Sequence, residues 1–414
     1  MITHLINKVN LGDCLIELRK MPDNCVDSVV VDPPYGLKFM GKHWDYDVPK
    51  AEVWAEVLRV LKPGGYLLSF FGTRTYHRGV IAIEDAGFEI RDQIGWCYSS
   101  GFPKSHDISK GIDKQAGHWR GKAGAVISDN AAMSAPNYER TDKGEPITAA
   151  AAAWKGWGTA LKPAWEPICV ARKHISEATV AANVLKWGTG GINIDGCRIG
   201  TEELTYGPMK QHMEARPWSD AQEKGERDKP APKTVTGRWP ANVIHDGSAE
   251  VLAGFPYNKS TIHEGNRGIG GIWGPSSGGP CGPTYNDSGS AARFFYTAKA
   301  SKWDRNEDCE NLEVKQSCGG GGMNNPECAG AYGSVKAKAN NHHPTVKPTD
   351  LMQYLCRLVT PPNGIILDPY SGSGSTGKAA LLECFRFIGF ERDAEYCVIA
   401  NERMRFIKGQ GKFF

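Results

Sequence analysis

The sequence predicts an α/β fold: a Rossmann-like, doubly wound, mostly parallel sheet with a loop-rich region set into it. Three observations carry that expectation. Strand-length apolar runs alternate with helical periodicities over about the first 100 residues, and the same alternation returns over about the last 70. Between these ends, periodicity is weak and Gly, Pro, Ser, Asn and Trp are abundant. Neither end alone supplies a complete sheet, so the two are expected to combine into one.

The elements follow in order. Residues 13–21 carry Leu15, Leu18 and Met21 at helical spacing, and 26–31 is a short valine-rich run, the pattern of a buried parallel strand. Residues 50–61 place Val53, Trp54, Val57, Leu58 and Leu61 on one helix face, and Lys62-Pro63-Gly64-Gly65 stops that helix. A strand at 66–71, a helix at 76–86 and a strand at 90–98 complete the first half. In the middle, 167–172 reads as a strand that rejoins the main sheet, while 276–282 and 319–322 read as mobile loops. The second half has helices at 349–360, 375–383 and 394–408, with strands at 365–367 and 385–390.

With 414 residues the chain can bury one large core and a second region. A net charge of +3, with 23% charged residues, excludes disorder driven by charge and confines any basic surface to local patches. Twelve cysteines are scattered without a Cys-x-x-Cys pair, and Cys309, Cys318 and Cys328 lie too far apart for a zinc ribbon, so no metal is expected. Met1-Ile2-Thr3-His4 opens no signal segment and no apolar run is long enough to span a bilayer, so a soluble cytoplasmic protein without membrane contact is expected.

Two motifs carry chemistry. Asp32-Pro33-Pro34-Tyr35 follows the 26–31 strand. An exocyclic amino group on a nucleobase is a weak nucleophile because its lone pair is delocalised into the ring. Two acceptors aimed at its N–H groups, the Asp32 carboxylate and the Pro33 carbonyl, draw the nitrogen toward tetrahedral geometry, and Tyr35 offers a face on which an extruded base can stack. The other motif, Asp368-Pro369-Tyr370-Ser371-Gly372-Ser373-Gly374-Ser375-Thr376, follows the 365–367 strand and opens a helix. Its backbone suits the carboxylate of an amino-acid-like cofactor. Glu391 ends the next strand, where an acid can hold two ribose hydroxyls. A clamp for a planar amino substrate beside a cofactor cradle suggests group transfer to nucleic acid. Asp32 and Asp368 are therefore expected at the carboxyl ends of neighbouring strands.

On these motifs the chain resembles the beta group of amino-methylating DNA methyltransferases, in which the catalytic tetrapeptide precedes the recognition region and the cofactor loop follows it. His343-Pro344-Thr345-Val346-Lys347-Pro348 and Gly12-Asp13-Cys14 match further elements of that family, and 165–173 is similar to its Glu-Pro-Ile-rich strand. The resemblance implies a class I methyltransferase fold with permuted motif order and S-adenosylmethionine as cofactor. It implies double-stranded DNA as substrate and places Thr345 and Lys347 near the cofactor's methionine carboxylate. It further puts Asp13 near the adenine and Glu391 on the ribose. Within the family, Asp at the first tetrapeptide position usually accompanies N6-adenine, so Asp32 favours adenine over N4-cytosine. The glycine-rich middle is similar to phage- and prophage-borne members; a homodimer and a cognate restriction nuclease are compatible partners.

The expected organisation is a catalytic half at 1–104, a loop insertion and rejoining strand at 105–176, a target-recognition region at 177–340 and a cofactor half at 341–414. Aromatic-basic groups in the middle, Lys155 with Trp157, Arg238 with Trp239, and 294–296 followed by Lys299, Lys302 and Arg305, are candidates for nucleic-acid contact or for ordinary packing. The last three are assigned to DNA phosphates. Rival readings are a glutamine or RNA methyltransferase, a carbon-5 cytosine enzyme using Cys281, and a DNA-binding protein with a dead catalytic fold. A glutamine enzyme usually carries Asn in place of Asp32, whereas an extruded base looks the same in RNA and DNA; Cys281 follows no apolar strand, and the intact Asp32, Tyr35, Gly372, Gly374 and Glu391 argue against decay.

Overall fold

The computed structural model describes residues 2–37, 45–101, 105–120, 144–206, 233–259, 288–298 and 338–409, with short pieces between 270 and 316. The chain forms two compact units, Met1–Tyr98 with Trp165–Phe414, and Ser99–Ala164.

The larger unit is built on a sheet of nine strands among the described residues: β1 (Lys8–Leu11), β2 (Val26–Val31), β3 (Leu61–Phe70), β4 (Glu89–Cys97), β5 (Trp165–Arg172), β6 (Val243–His245), β7 (Tyr296–Thr297), β8 (Ile365–Asp368) and β9 (Arg386–Glu391). Across the sheet they run β1-β9-β8-β2-β3-β5-β4-β6-β7. Only β5 is reversed, antiparallel to β3 and β4, while every other pair in the sheet is parallel. Among the described residues of both units the α-helices are α1 (Cys14–Lys20), α2 (Ala51–Val60), α3 (Tyr76–Asp85), α4 (Ile108–Gln115), α5 (Ala149–Ala153), α6 (Val180–Trp187), α7 (Ala249–Ala253), α8 (Thr349–Val359), α9 (Ser375–Leu382) and α10 (Ala394–Gly409).

Both faces of the sheet are covered. Val29, Val31, Leu67, Leu367 and Ile388 face Leu18 of α1, Trp54 and Val57 of α2 and Ile83 of α3. Val30, Leu68, Ile366 and Phe387 face Leu351 and Leu355 of α8, Leu381 of α9 and Met404 of α10. Side chains alternate across a strand, so the consecutive valines 29–31 suit a strand buried on both sides, while buried Asp27 and Ser28 are satisfied by hydrogen bonds to Ile365 N and Thr360 Oγ1. The sheet is thus doubly wound and mostly parallel, as the sequence predicts.

The two ends of the chain do share the sheet. Ile366 pairs with Ser28 and Leu367 with Val29, and β1 pairs with β9. At the amino end of β2 the Asp27 carboxylate accepts from Ile365 N (2.7 Å) and from Lys62 Nζ (2.5 Å), tying three strands together. From β2 the chain proceeds to its neighbour β3, and from β8 to β9 on the opposite side. Strand order thus reverses between β2 and β8, the place where open α/β sheets take their ligands.

Three local differences from the sequence expectation have physical causes. The stop at 62–65 is part of β3: Leu61 already pairs with Val26, and a register shift before Ser28 is absorbed by a bulge in which Gly64 has φ +79°. β1 gave no sequence signal, since only Val9 of its four residues is buried. The middle also contributes to the main unit. β6 and β7 extend the sheet edge beyond β4, and Asn183 of α6 donates to the Pro63 carbonyl (2.8 Å). The loop expectations at 276–282 and 319–322 lie outside the described residues.

In the smaller unit, α4 and α5 are joined by buried Asp113, which accepts from Ile147 N, Thr148 N and Thr148 Oγ1 and pairs with Arg120. No helix among the described residues is long and apolar enough to cross a membrane.

Candidate active site

Asp32 leaves the carboxyl end of β2, and Pro33 and Pro34 carry the chain out of the sheet, since neither can donate to a ladder. The loop is then pinned by buried Asp45, which accepts from Tyr35 N (2.7 Å), Gly36 N (2.9 Å) and Leu37 N (3.2 Å). So held, the Tyr35 hydroxyl donates to Asp32 Oδ1 (2.7 Å) and lies 3.1 Å from Oε1 of Glu166, the second residue of β5. Lys347 completes the group from 312 positions away: its Nζ donates to the Tyr35 hydroxyl (3.0 Å) and lies 3.1 Å from Asp32 Oδ2 and 3.3 Å from Glu166 Oε2. The same ammonium sits 4.8 Å from the centre of the Phe70 ring, a cation–π contact that lines one side of the site.

Two carboxylates and one ammonium in a buried setting fix the protonation pattern. Burial alone would lower the Lys347 pKa, but Asp32 and Glu166 more than offset it, so the ammonium stays charged. Burial, then the two neighbouring carboxylates, pushes the Tyr35 phenol well above its usual range and keeps it neutral. Glu166 is pushed up by burial and by Asp32, against the opposing pull of Lys347.

On the next strand, Asp368 ends β8. It is buried, accepts from Tyr370 N (3.0 Å) and is bonded to the Thr376 side chain. Burial, with help from Asp32 and Glu391, pushes its carboxyl up to about 7. The glycine loop wraps around it. Ser371 Oγ donates to the Asp368 carbonyl (3.0 Å), and Gly372 N donates to Glu391 Oε2 (2.8 Å), whose other oxygen accepts from Asp393 N (2.8 Å). Gly372 has φ +50° and a Cβ there would lie 2.9 Å from His343 Nε2; Gly374 has φ +76° and a Cβ there would lie 2.8 Å from Ala400 Cβ. Both positions therefore need glycine. From beneath, fully buried Arg403 donates to the Ser373 carbonyl (2.6 Å) and approaches Ser375 Oγ (3.2 Å), fixing the start of α9.

The structure thus sets the Asp32–Tyr35 group and the 368–376 loop at the carboxyl ends of adjacent strands, with Asp32 close enough to perturb Asp368. Asp13 caps α1, accepting from Leu15 N (3.0 Å), and the Tyr370 phenol is hydrogen-bonded to its neighbour Cys14. Thr345 is exposed, and its carbonyl bonds the His343 ring. Lys347, expected at the cofactor's carboxylate, has its ammonium on Asp32. Lys299, Lys302, Arg305 and Cys281 lie outside the described residues. Of the other aromatic-basic groups, Arg238 lies over the Phe294 ring (5.2 Å) and pairs with Glu202 (2.7 Å), so its cation is engaged within the fold.

Sequence reasoning missed Asp45, Glu166 and Arg403. Asp45 is ten positions from Tyr35 and could have been sought as an anchor for a loop with several unpaired N–H groups. Arg403 gave no local signal, and Glu166 was legible only as a member of the 165–173 strand, with nothing to mark its place in the site.

Fold and site together bring a buried acid–phenol–ammonium group beside a glycine loop at the switch point of the sheet. Residues 26–402 match the family model described as DNA methylase (N6/N4 methyltransferases), and the chain belongs to that family. It is 42% identical over 73 residues to YubD of Escherichia coli (strain K12), covering 18% of this chain and 32% of that protein. It is 29% identical over 120 residues to the type II methyltransferase M2.LlaDCHI of Lactococcus lactis subsp. cremoris, covering 28% and 45%. The match thus spans less than half the length of either relative. Among solved structures, the M1.HpyAVI–SAM complex aligns at 14% identity and TM-score 0.39, over 96% of this chain and 98% of that one. The cytosine-N4-specific PvuII DNA methyltransferase aligns at 13% and 0.42, over 97% and 92%.

Proposed function

We propose that this protein transfers a methyl group from S-adenosylmethionine to the N6 amino group of adenine in double-stranded DNA, acting on a base swung out of the duplex. The observation that carries this reading is the buried group of Asp32, Tyr35 and Lys347 beside the glycine loop at the switch point of the sheet. Membership of the DNA methylase family supports the reaction class, and Asp32 at the head of the tetrapeptide favours adenine.

The residues present fit the cofactor. The positive φ of Gly372 and Gly374, where a Cβ would strike His343 or Ala400, lets the loop fold tightly and leads its backbone N–H groups into the amino end of α9. Glu391 keeps lone pairs for ribose hydroxyls beyond its bonds to Gly372 and Asp393, and Tyr370 supplies an aromatic wall. Asp13, Thr345, Asp368, Ser371, Ser375 and Thr376 complete the set on this reading. When bound, the sulfonium cofactor supplies an electrophilic methyl group. The chain's own part is to hold the amino group. Asp32, fixed by Lys347 and Tyr35, accepts one N–H and the Pro33 carbonyl accepts the other, so the nitrogen lone pair is localised and aimed. No covalent enzyme intermediate is needed, and positioning does most of the work.

The test is incubation of the protein with DNA and S-adenosylmethionine labelled in its methyl group, followed by nucleoside analysis. Label in N6-methyladenine is expected. Label in N4-methylcytosine would replace the base assignment, and an absence of label from any DNA would remove the reading.

A further inference from the structure

Glu166 has no part in the chemistry described so far, yet its placement is unusual. It lies at the start of β5, the reversed strand, and so reaches the carboxyl ends of β2 and β8 from the opposite direction to every other strand. Its side chain is only 14% exposed and touches two members of the site, the Tyr35 hydroxyl at 3.1 Å and Lys347 Nζ at 3.3 Å. Asp32 Oδ1, the Tyr35 hydroxyl and Glu166 Oε1 form one unbroken chain with links of 2.7 and 3.1 Å.

We propose that Glu166 takes up the proton released when an amino group is methylated, receiving it from Asp32 through the Tyr35 hydroxyl. This deepens the methyl-transfer reading and rests on it. In the transfer, the amino nitrogen's lone pair forms the new N–C bond while the C–S bond breaks and leaves its electron pair on sulfur. The nitrogen is then positively charged and carries a surplus hydrogen. One N–H bond breaks, its electron pair returns to nitrogen and the proton passes to Asp32. The Tyr35 hydroxyl hydrogen, turned toward Glu166, moves to Oε1, and the proton on Asp32 replaces it on the phenol oxygen. Asp32 is again an anion, Tyr35 is again neutral, and Glu166 holds the proton until solvent removes it.

The surroundings suit each role. A base held on Asp32 and stacked at Tyr35 covers the face through which Asp32 would otherwise meet water, while Lys347 occupies its second oxygen. Tyr35 must carry a proton without ionising, and its burial between carboxylates keeps the phenol neutral. The groups facing Glu166 are Asp32 and Tyr35 from the loop after β2, Lys347 from the segment before α8, and Tyr98 from the end of β4. The Tyr98 phenol is pushed up to about 12 by burial and then by Glu166, so it does not compete for the proton near neutrality.

The experiment compares wild type, Glu166→Gln and Glu166→Asp. In single turnovers at saturating DNA and cofactor, E166Q is expected to transfer at least about tenfold more slowly than wild type. It should also lose the acidic limb of the pH profile that Glu166 contributes, with DNA and cofactor affinities unchanged and partial rescue by E166D. Titration of Asp368 persists in all three proteins, so the readout is the difference between their profiles. Independently of activity, infrared titration of the ligand-free wild type should show a carboxyl group protonating above the ordinary carboxylate range that is missing in E166Q. Wild-type rate and pH profile in E166Q, equal loss in E166Q and E166D, or an unchanged infrared titration would overturn the proton role while leaving methyl transfer intact. Absence of transfer by the wild type would remove both readings.

Discussion

The two halves of the site are built from different materials. At Asp32 the work is done by side-chain charge: two carboxylates, an ammonium and a phenol drawn from three distant segments. At Gly372 it is done by backbone shape, with positive φ at two glycines and N–H groups organised by Asp368 and Glu391. A site made of charges depends on every partner being present, because removing one leaves the others buried without compensation. A site made of backbone tolerates changes of charge but no added volume.

Four substitutions sharpen or break that contrast. Asp32→Ala should reduce methyl transfer by at least about 100-fold, the scale of a lost positioning acceptor, while equilibrium binding of S-adenosylmethionine stays near wild type. A parallel loss of cofactor binding would mean the two halves are not separable. Lys347→Met leaves Asp32 and Glu166 facing each other, and chemical denaturation should register a cost of about 3 kcal/mol at neutral pH. Protonation of either carboxylate relieves the repulsion, so this deficit should shrink as pH falls. Gly372→Ala forces a Cβ against His343 in a left-handed backbone, and cofactor affinity measured by calorimetry should fall about tenfold or more, with overall stability changed far less. An unaffected affinity would mean the loop shape is not what holds the cofactor.

The smallest effect concerns Asp368. Its folded-state pKa, about 7, lies above that of an ordinary carboxyl, so the folded form holds the proton more tightly than the unfolded form does. Stability from this group is complete at low pH and is lost as pH rises from about 4 through 7. Asp368→Asn keeps an acceptor for Tyr370 N and cannot ionise. Its Tm should therefore vary less between pH 5 and 8 than that of the wild type, by a few degrees. Equal pH dependence in the two proteins would place the titrating group elsewhere.

Much of this was legible in the sequence because local patterns carry it. The 26–31 run, buried throughout, and the helix starting at Ser375 could be read from periodicity and glycine placement. The adjacency of β2 and β8 followed from the incompleteness of each half. What local patterns do not encode is direction and partnership. The outer strands β6 and β7 have three and two residues, too few to show a period. Glu166 stood in a recognisable strand, but its partner Tyr35 is 131 positions away, and nothing near either residue announces the other. Lys347 was legible as a motif member, whereas its contact with Asp32 belongs to the tertiary fold alone.

The pairing of β2 with β8 and of β1 with β9 also sets a schedule for biosynthesis. The opening strands leave the ribosome long before the strands that will lie beside them, and such long-range parallel pairing is slow to form. Until the closing segment is made, β2 has an unsatisfied hydrogen-bonding edge, and a nascent chain already carrying Asp32 and Tyr35 lacks the glycine loop. The Asp32 group and the glycine loop therefore come together only once the 365–376 segment has been made and paired.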